Sequence, residues 1–528
     1  MKKLFRANKL PKRISMQVAM ILSILLFCLL VSVGQGSSFF YTSHYTKVLT
    51  LICIFIAYFA ILFYLKATKR LTQENTAVFM IILLGVLLRC AYVLLSGLYD
   101  RQHDAGAYTG MGTDFVNPGH IGYIEYIYKF HKLPDINPYE RFAYCHPPLY
   151  YFLSSLWLKL NIVFGVAEDL AFENLQVLPL LCSCLCMVVT YKILKVLDIK
   201  GNGLMIALAF MVFHPATIIM AGSVNNDILT ILFMCLIILG SLKWIREKCL
   251  KNLLMLALYI GFGMITKLNA AVLAIPLALV FLMHFISVLR GKNISEILKW
   301  IKNYCLFAIV VMPIGLFWTL RNLIRFGKIP GFPAPGKDSP MYTASYSLWQ
   351  RLGIPTLSDW RIDFPFHPIS ANACHNAWVI MFHTSLFAEE YPTDLTDILL
   401  VLCQIVYVLA ILLGLATAVL LVIVLLKKQT LHEDRVLLLA GYILTLLSLA
   451  AFATIYPYTC SSDFRYVAIC LVYVSIALGL GNKYFLQTPP SSANFLTKAA
   501  PWIMHIINYG IIAVLMMIQT IYLFWGRW

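Results

Sequence analysis

Short polar stretches interrupt an otherwise apolar chain, and each carries a side chain able to handle a proton or an anion. The first is His103-Asp104 in HDAGAY, just beyond an apolar run. A carboxylate there, partly desolvated by neighbouring helices, is suited to take a proton from a hydroxyl. Asp100 lies four residues earlier and shares its face if the helix continues; Asp114, His120 and Glu125 follow in the same loop. The second is His146, held extended by Pro147-Pro148, which could hydrogen-bond a phosphate, ligate a metal or cap the helix that follows. The third is Lys267, between two apolar runs. An ionisable residue at membrane depth is a functional candidate, or it snorkels to the interface. The last are Arg321 (with Trp318 and Asn322) and Asp463 with Arg465. Arginine forks at helix ends clamp phosphate oxygens or pair with nearby acids. His367, His375, His383, Glu389 and Glu390 add weak metal-ligand candidates, His375 and His383 being two helical turns apart.

These residues must be held by membrane helices. The chain has 528 residues, 61% of them hydrophobic and 12% charged. A soluble domain cannot hide that much apolar surface, and apolar runs of about 20 residues span a bilayer as helices. The pattern predicts an all-α polytopic membrane protein with about thirteen transmembrane helices, near 16–34, 46–65, 77–98, 175–197, 203–221, 227–243, 252–268, 269–289, 303–320, 400–426, 436–455, 465–482 and 502–525. The first follows a basic leader and is read as a retained helix. The net charge of +17 is assigned to cytoplasmic anchoring rather than to nucleic acid.

With the N-terminus inside, the basic clusters Lys66/Lys69/Arg70, Lys192/Lys195/Lys200, Lys243/Arg246/Lys248/Lys251 and Arg290/Lys292/Lys299/Lys302 all fall on the cytoplasmic side. That parity leaves no crossing for 148–166, which is therefore expected to lie at the outer surface or to be re-entrant. The candidate residues then collect on one side. Four units are expected: two N-terminal helices (1–76), a core (77–320) with a large outer loop at 99–174, a second outer loop (321–399) and C-terminal helices (400–528). There is no Walker loop and no GxGxxG. Cys145, Cys374 and Cys460 are the cysteines placed in outer loops, so at most one disulfide forms among them.

The ordered set HDAGAY, CHPPLYYFL, SVNND, TKLN, W-x-x-R-N and DFRY resembles the GT-C membrane glycosyltransferases, nearest to the bacterial protein O-mannosyltransferase-like and aminoarabinose-transferase-like branch. The resemblance covers about 77–482. It implies the GT-C fold, with a seven-helix core and juxtamembrane helices in the first outer loop. It implies transfer of a sugar, with inversion, from a polyprenyl-phosphate donor to an extracytoplasmic acceptor: glycan, lipid or protein. Asp104 would be the base. Lys267, Arg465 and His146 would hold the carrier phosphate, with His103, Arg321 and Asp463 as further substrate-binding candidates. His146 and Cys145 stand where the aminoarabinose transferases have lysine and a metal-binding glutamate, a departure that counts against a metal site there; a divalent metal stays a possibility, with its ligands unknown. Asp104 is followed by alanine, so the Asp-Glu pair of the O-mannosyltransferases is not reproduced. A cell-membrane location is implied, with the N-terminus cytoplasmic and the site outside. The competing reading is a lipid flippase or secondary transporter, which would predict repeated halves and midplane polar residues.

Overall fold

The computed structural model describes residues 15–99, 119–356, 371–372, 374–389, 395–427, 430–487 and 495–524. Asp104 and His103 lie outside the described residues, as do Asp100, Asp114, His367 and Glu390. Helices dominate, and no β-strand forms among the described residues beyond an isolated bridge between Tyr342 and Tyr458.

In chain order the helices that matter are α1 (Met16–Gln35), α2 (His44–Ala67), α3 (Glu74–Leu95), α4 (Gly119–Phe130), α5 (Leu149–Val163), α6 (Glu168–Val196), α7 (Gly201–Phe213), α8 (Asp227–Arg246), α9 (Leu250–Met264), α10 (Ala274–Arg290), α11 (Ile294–Phe326), α12 (Ala377–Phe387), α13 (Asp397–Leu425), α14 (His432–Ile455), α15 (Cys470–Asn482) and α16 (Phe495–Phe524). Among the described residues, ten helical segments are long and apolar enough to cross a membrane. The pair Thr459–Val467 and Cys470–Gln487, bent by 47°, forms an eleventh if counted as one span. Two of the thirteen expected spans are shorter than a bilayer needs. One is α9, with 15 residues. The other, near 203–221, is broken after Phe213. Pro215 drives His214 out of the helical region (ψ 127°), because a residue before proline clashes in the α conformation. The chain restarts as Pro215–Ile219.

The 148–166 segment forms α5, with 15 residues. At 1.5 Å per residue it reaches about 22 Å, short of the roughly 30 Å hydrocarbon core. It packs against α4. The centre of the bundle is α6 and α8, most of whose apolar windows are buried (78% and 83%), whereas α2 is only 11% buried. Around that centre α9 packs between α8 and α11, and α7 packs on α15.

Local chemistry sets the ends of the helix that carries Arg321. Asn293 caps α11 by accepting from the Ser295 and Glu296 amides at 3.1 and 3.3 Å, which meets two of the four orphan donors of a helix start. Gly327 ends it with φ +64°, a left-handed position that glycine adopts without a Cβ penalty.

Candidate active site

One cavity of about 340 Å³ collects residues from four distant segments: His120, Cys145 and His146 from the first loop, Asp227 from the start of α8, Lys267 and Asn269 from the turn after α9, and Arg465 and Tyr466 from the bent pair. His146, Lys267 and Arg465, singled out from the sequence, are thus brought together. The stretch Pro330–Pro333 and the rings of Phe332, Phe452 and Tyr456 form the apolar wall. Tyr139 Oη donates to Ile329 O at 2.9 Å and Tyr458 Oη to Pro335 O at 2.6 Å, which pins that wall at both ends.

Each polar side chain is positioned by its own backbone. Asp227 is the first residue of α8, where the helix dipole favours a carboxylate; its amide donates to Asn225 Oδ1 at 3.0 Å. Asn226 Nδ2 reaches Thr266 O at 2.9 Å, so SVNND is tied to the turn that presents Lys267. That turn is also tied to the CHPPL segment, because Leu149 N donates to Ile265 O at 3.2 Å. Lys267 itself is extended (φ −159°), sitting between the end of α9 and a 3-10 turn.

The centre of the cluster is an ion network. Lys267 Nζ pairs with Asp227 Oδ1. Arg465 Nη1 lies 3.8 Å from Asp227 Oδ2, and its Nη2 lies 3.4 Å from Glu389 Oε1. Lys267 and Arg465 flank the ring of Tyr466, at 4.8 and 5.2 Å from its centroid. Asp227 is 4% exposed, so the attraction acts at low dielectric, where charge pairs are strong and unpaired charges costly.

Beside this network two imidazoles stack. The His120 and His146 rings lie 5.6 Å apart with planes 10° from parallel, and His120 Nδ1 is 2.7 Å from Tyr151 Oη. Burial pushes the His146 imidazole down to about 3, and the neighbouring Lys267 charge adds to it. Burial likewise lowers His120, helped by His146. Both rings are therefore neutral near pH 7 and act as hydrogen-bonding groups, not as cations.

The other sequence candidates sit elsewhere. Arg321 does not line the cavity: its Nη2 donates to Pro134 O at 2.8 Å and its guanidinium lies over Trp318. Trp318 Nε1 in turn donates to Cys145 O at 3.0 Å. The loop reaches across the helix end and holds one arm of the fork, away from the cavity. Asp463 is buried and caps the turn that follows, its Oδ1 accepting from Arg465 N at 2.8 Å; it positions the arginine from behind. His375 lies outside α12 and stacks on Tyr346 at 3.8 Å, whereas His383 is buried within that helix, so the shared helical face does not form. No three His, Cys, Asp or Glu side chains are grouped to hold a metal among the described residues. Cys145, Cys374 and Cys460 are free thiols.

Sequence reasoning noted His120 and the SVNND stretch but gave neither His120 nor Asp227 a role. The buried acid has a signal: SVNND opens an apolar helix with a carboxylate, and Lys267 needs a counter-ion. The pairing of His120 with His146 had none, because nothing local marks a histidine 26 positions from its stacking partner.

Residues 145–318 match the family model of the dolichyl-phosphate-mannose-protein mannosyltransferases. The matched third of the chain holds His146, Asp227 and Lys267. Among solved structures, the chain is similar to the oligosaccharyltransferase of Archaeoglobus fulgidus in its apo form, at 12% identity and TM-score 0.44, covering 83% of this chain and 55% of that one. It is similar to AglB of the same organism in complex with an inhibitory peptide and a dolichol-phosphate, at 13% identity and TM-score 0.43, covering 84% and 56%. It is also similar to ArnT of Cupriavidus metallidurans bound to undecaprenyl phosphate, at 14% identity and TM-score 0.34, covering 81% and 84%. The chain thus spans little more than half the length of the archaeal enzymes. No curated protein sequence matches it.

Proposed function

We propose that the protein is a multi-pass membrane glycosyltransferase that takes a hexose or pentose from a polyprenyl-phosphate carrier. The observation that carries this reading is the convergence of His146, Lys267 and Arg465 on one cavity, within and beside the segment that matches the mannosyltransferase family. A lysine ammonium gives a point contact and an arginine fork gives two, a pairing suited to a phosphate. Asp227 sets the spacing of the two cations before the ligand arrives. The neutral imidazoles supply further hydrogen bonds, and the aromatic wall faces the sugar or the first isoprene unit.

In the reaction the acceptor hydroxyl attacks the anomeric carbon. The bond from that carbon to the phosphate oxygen breaks, and the polyprenyl phosphate leaves with the electron pair. Lys267 and Arg465 stabilise the charge that develops on the leaving oxygen. Asp104 takes the hydroxyl proton, with His103 beside it. One displacement inverts the anomeric centre. Among the described residues no three His, Cys, Asp or Glu side chains are grouped to hold a metal. The site is assigned to the extracytoplasmic face of the plasma membrane, the N-terminus to the cytoplasm, and residues 77–320 to the conserved core, with 1–76 as an added helical pair.

The test is Asp104→Asn in purified protein supplied with a polyprenyl-phosphate sugar. Turnover is expected to fall roughly 10²–10⁴-fold with donor binding retained. Near-normal turnover removes Asp104 from the role.

A further inference from the structure

The turn that presents Lys267 brings a second polar side chain to the same cavity. Asn269 lies two residues further on, at the start of the 3-10 turn Leu268–Leu273, and is half-buried. We infer that the Asn269 amide reads the transferred sugar, binding a pair of neighbouring sugar hydroxyls beside the carrier phosphate. This rests on the catalytic reading above and gives that site its specificity for the donor.

The amide is unspent. Among the described residues the Asn269 side chain makes no hydrogen bond, and its Oδ1 is a buried acceptor with no donor. The backbone cannot shift to supply one. Ala270, the next residue, is fully buried, and its amide donates to Lys267 O at 3.1 Å. Its Cβ also lies against Gly263, where an added Cβ would come within 3.0 Å of it. The turn is therefore locked, and a buried acceptor left unpaired costs free energy. A local rule broken on a rigid turn that lines a cavity marks a place where a ligand completes the set.

The chemistry of the amide selects the ligand group. An oxygen of the carrier phosphate only accepts, so it would meet Nδ2 and leave Oδ1 orphaned. An isoprene unit offers neither a donor nor an acceptor. A hydroxyl both donates and accepts, and two hydroxyls on adjacent carbons meet the oxygen and the nitrogen of one carboxamide together. With no bond to break, the amide is also free to turn about its own axis to suit them. The sugar is bonded to the phosphate that Lys267 and Arg465 hold, so its hydroxyls are the ones brought to Asn269 before any acceptor arrives.

The experiment titrates the purified full chain, with no acceptor present, with undecaprenyl phosphate and with undecaprenyl phosphate carrying mannose, glucose or arabinose. The wild-type protein is expected to bind at least one sugar-bearing lipid about tenfold more tightly than the bare carrier, the scale of two neutral hydrogen bonds. Asn269→Leu, which keeps the volume, should lose that gain and bind the bare carrier as before. It should melt no lower than the wild type, because no hydrogen bond within the protein is broken. Asn269→Ala serves as a second variant with the same expectation. Equal wild-type affinity for bare and sugar-bearing carriers, a gain that survives in the variants, or weaker binding of the bare carrier overturns the assignment and leaves the phosphate site standing. A lower melting temperature in both variants also overturns it, by making the residue structural. A wild-type protein that binds none of the four lipids overturns the catalytic reading itself.

Discussion

Arg89 and Arg465 are both buried guanidinium groups, 0% and 6% exposed, yet their partners differ in kind. Arg89 meets only neutral acceptors: Ser183 Oγ and Thr217 Oγ1 at 2.8 Å, Val212 O at 2.9 Å and Gly85 O at 3.0 Å. Those acceptors belong to α3, α6 and the break between α7 and Pro215–Ile219, so the side chain holds that break shut. The Arg89 fork is consumed by backbone and hydroxyl oxygens. Arg465 instead faces two carboxylates at 3.8 and 3.4 Å and borders a 340 Å³ cavity. A buried cation with its donors used up is a staple. One whose partner is a charge that a phosphate oxygen can replace is a site.

That contrast can be broken in order of effect. Arg89→Ala should be the most damaging change, because it leaves a void and strands several acceptors. A loss of roughly 3–5 kcal/mol is expected, read as a large fall in melting temperature or in yield of folded protein, and no polyprenyl phosphate should restore it. Asp227→Asn removes the charge between Lys267 and Arg465 and should destabilise the ligand-free protein by roughly 3 kcal/mol. Here added undecaprenyl phosphate should recover much of the loss, since an anion can take the vacated place. If the lipid rescued both variants, or neither, the distinction between staple and site would fail.

Lys267→Ala and Arg465→Ala should each weaken donor binding by about 10–100-fold, the equivalent of about 1.5–3 kcal/mol for a hydrogen bond to a charged group. Wild-type affinity in both, measured by isothermal titration with the lipid carrier, would place the phosphate elsewhere. Arg321→Lys should change affinity least, by less than about threefold, because Arg321 does not line the cavity and is held by Pro134 O and the Trp318 ring.

A pH measurement sharpens the picture. His146 is held at about 3 against an ordinary value of 6.5. Between those values the unfolded chain binds the proton and the folded one does not, so stability is complete above about 6.5 and falls as the pH drops toward 3. Acidification from pH 7.5 to 5 should lower the melting temperature, and His146→Gln should lose part of that dependence. An unchanged profile in the variant would mean that the imidazole does not resist protonation in the folded state.

The sequence by itself determined the membrane class and the helices, because a bilayer demands long apolar runs with internally satisfied backbones, and such runs are visible in one dimension. It also marked His146, Lys267 and Arg465, since an ionisable residue among apolar neighbours stands out wherever the chain goes. The breaks were less legible. His214-Pro215 carried a proline signal, yet the expected span at 203–221 ran through it, because hydropathy alone does not register a kink. Which cations share a cavity was not written in any local pattern: Lys267 and Asp227 are separated by 40 positions, and Arg321 looked as suited to phosphate as Arg465 until the loop at Pro134 was seen to occupy it. Hydrogen-bond donors are directional and finite, so their partners are settled only when distant segments pack. Tertiary structure alone decided which guanidinium was drawn to a loop and which was left facing a cavity.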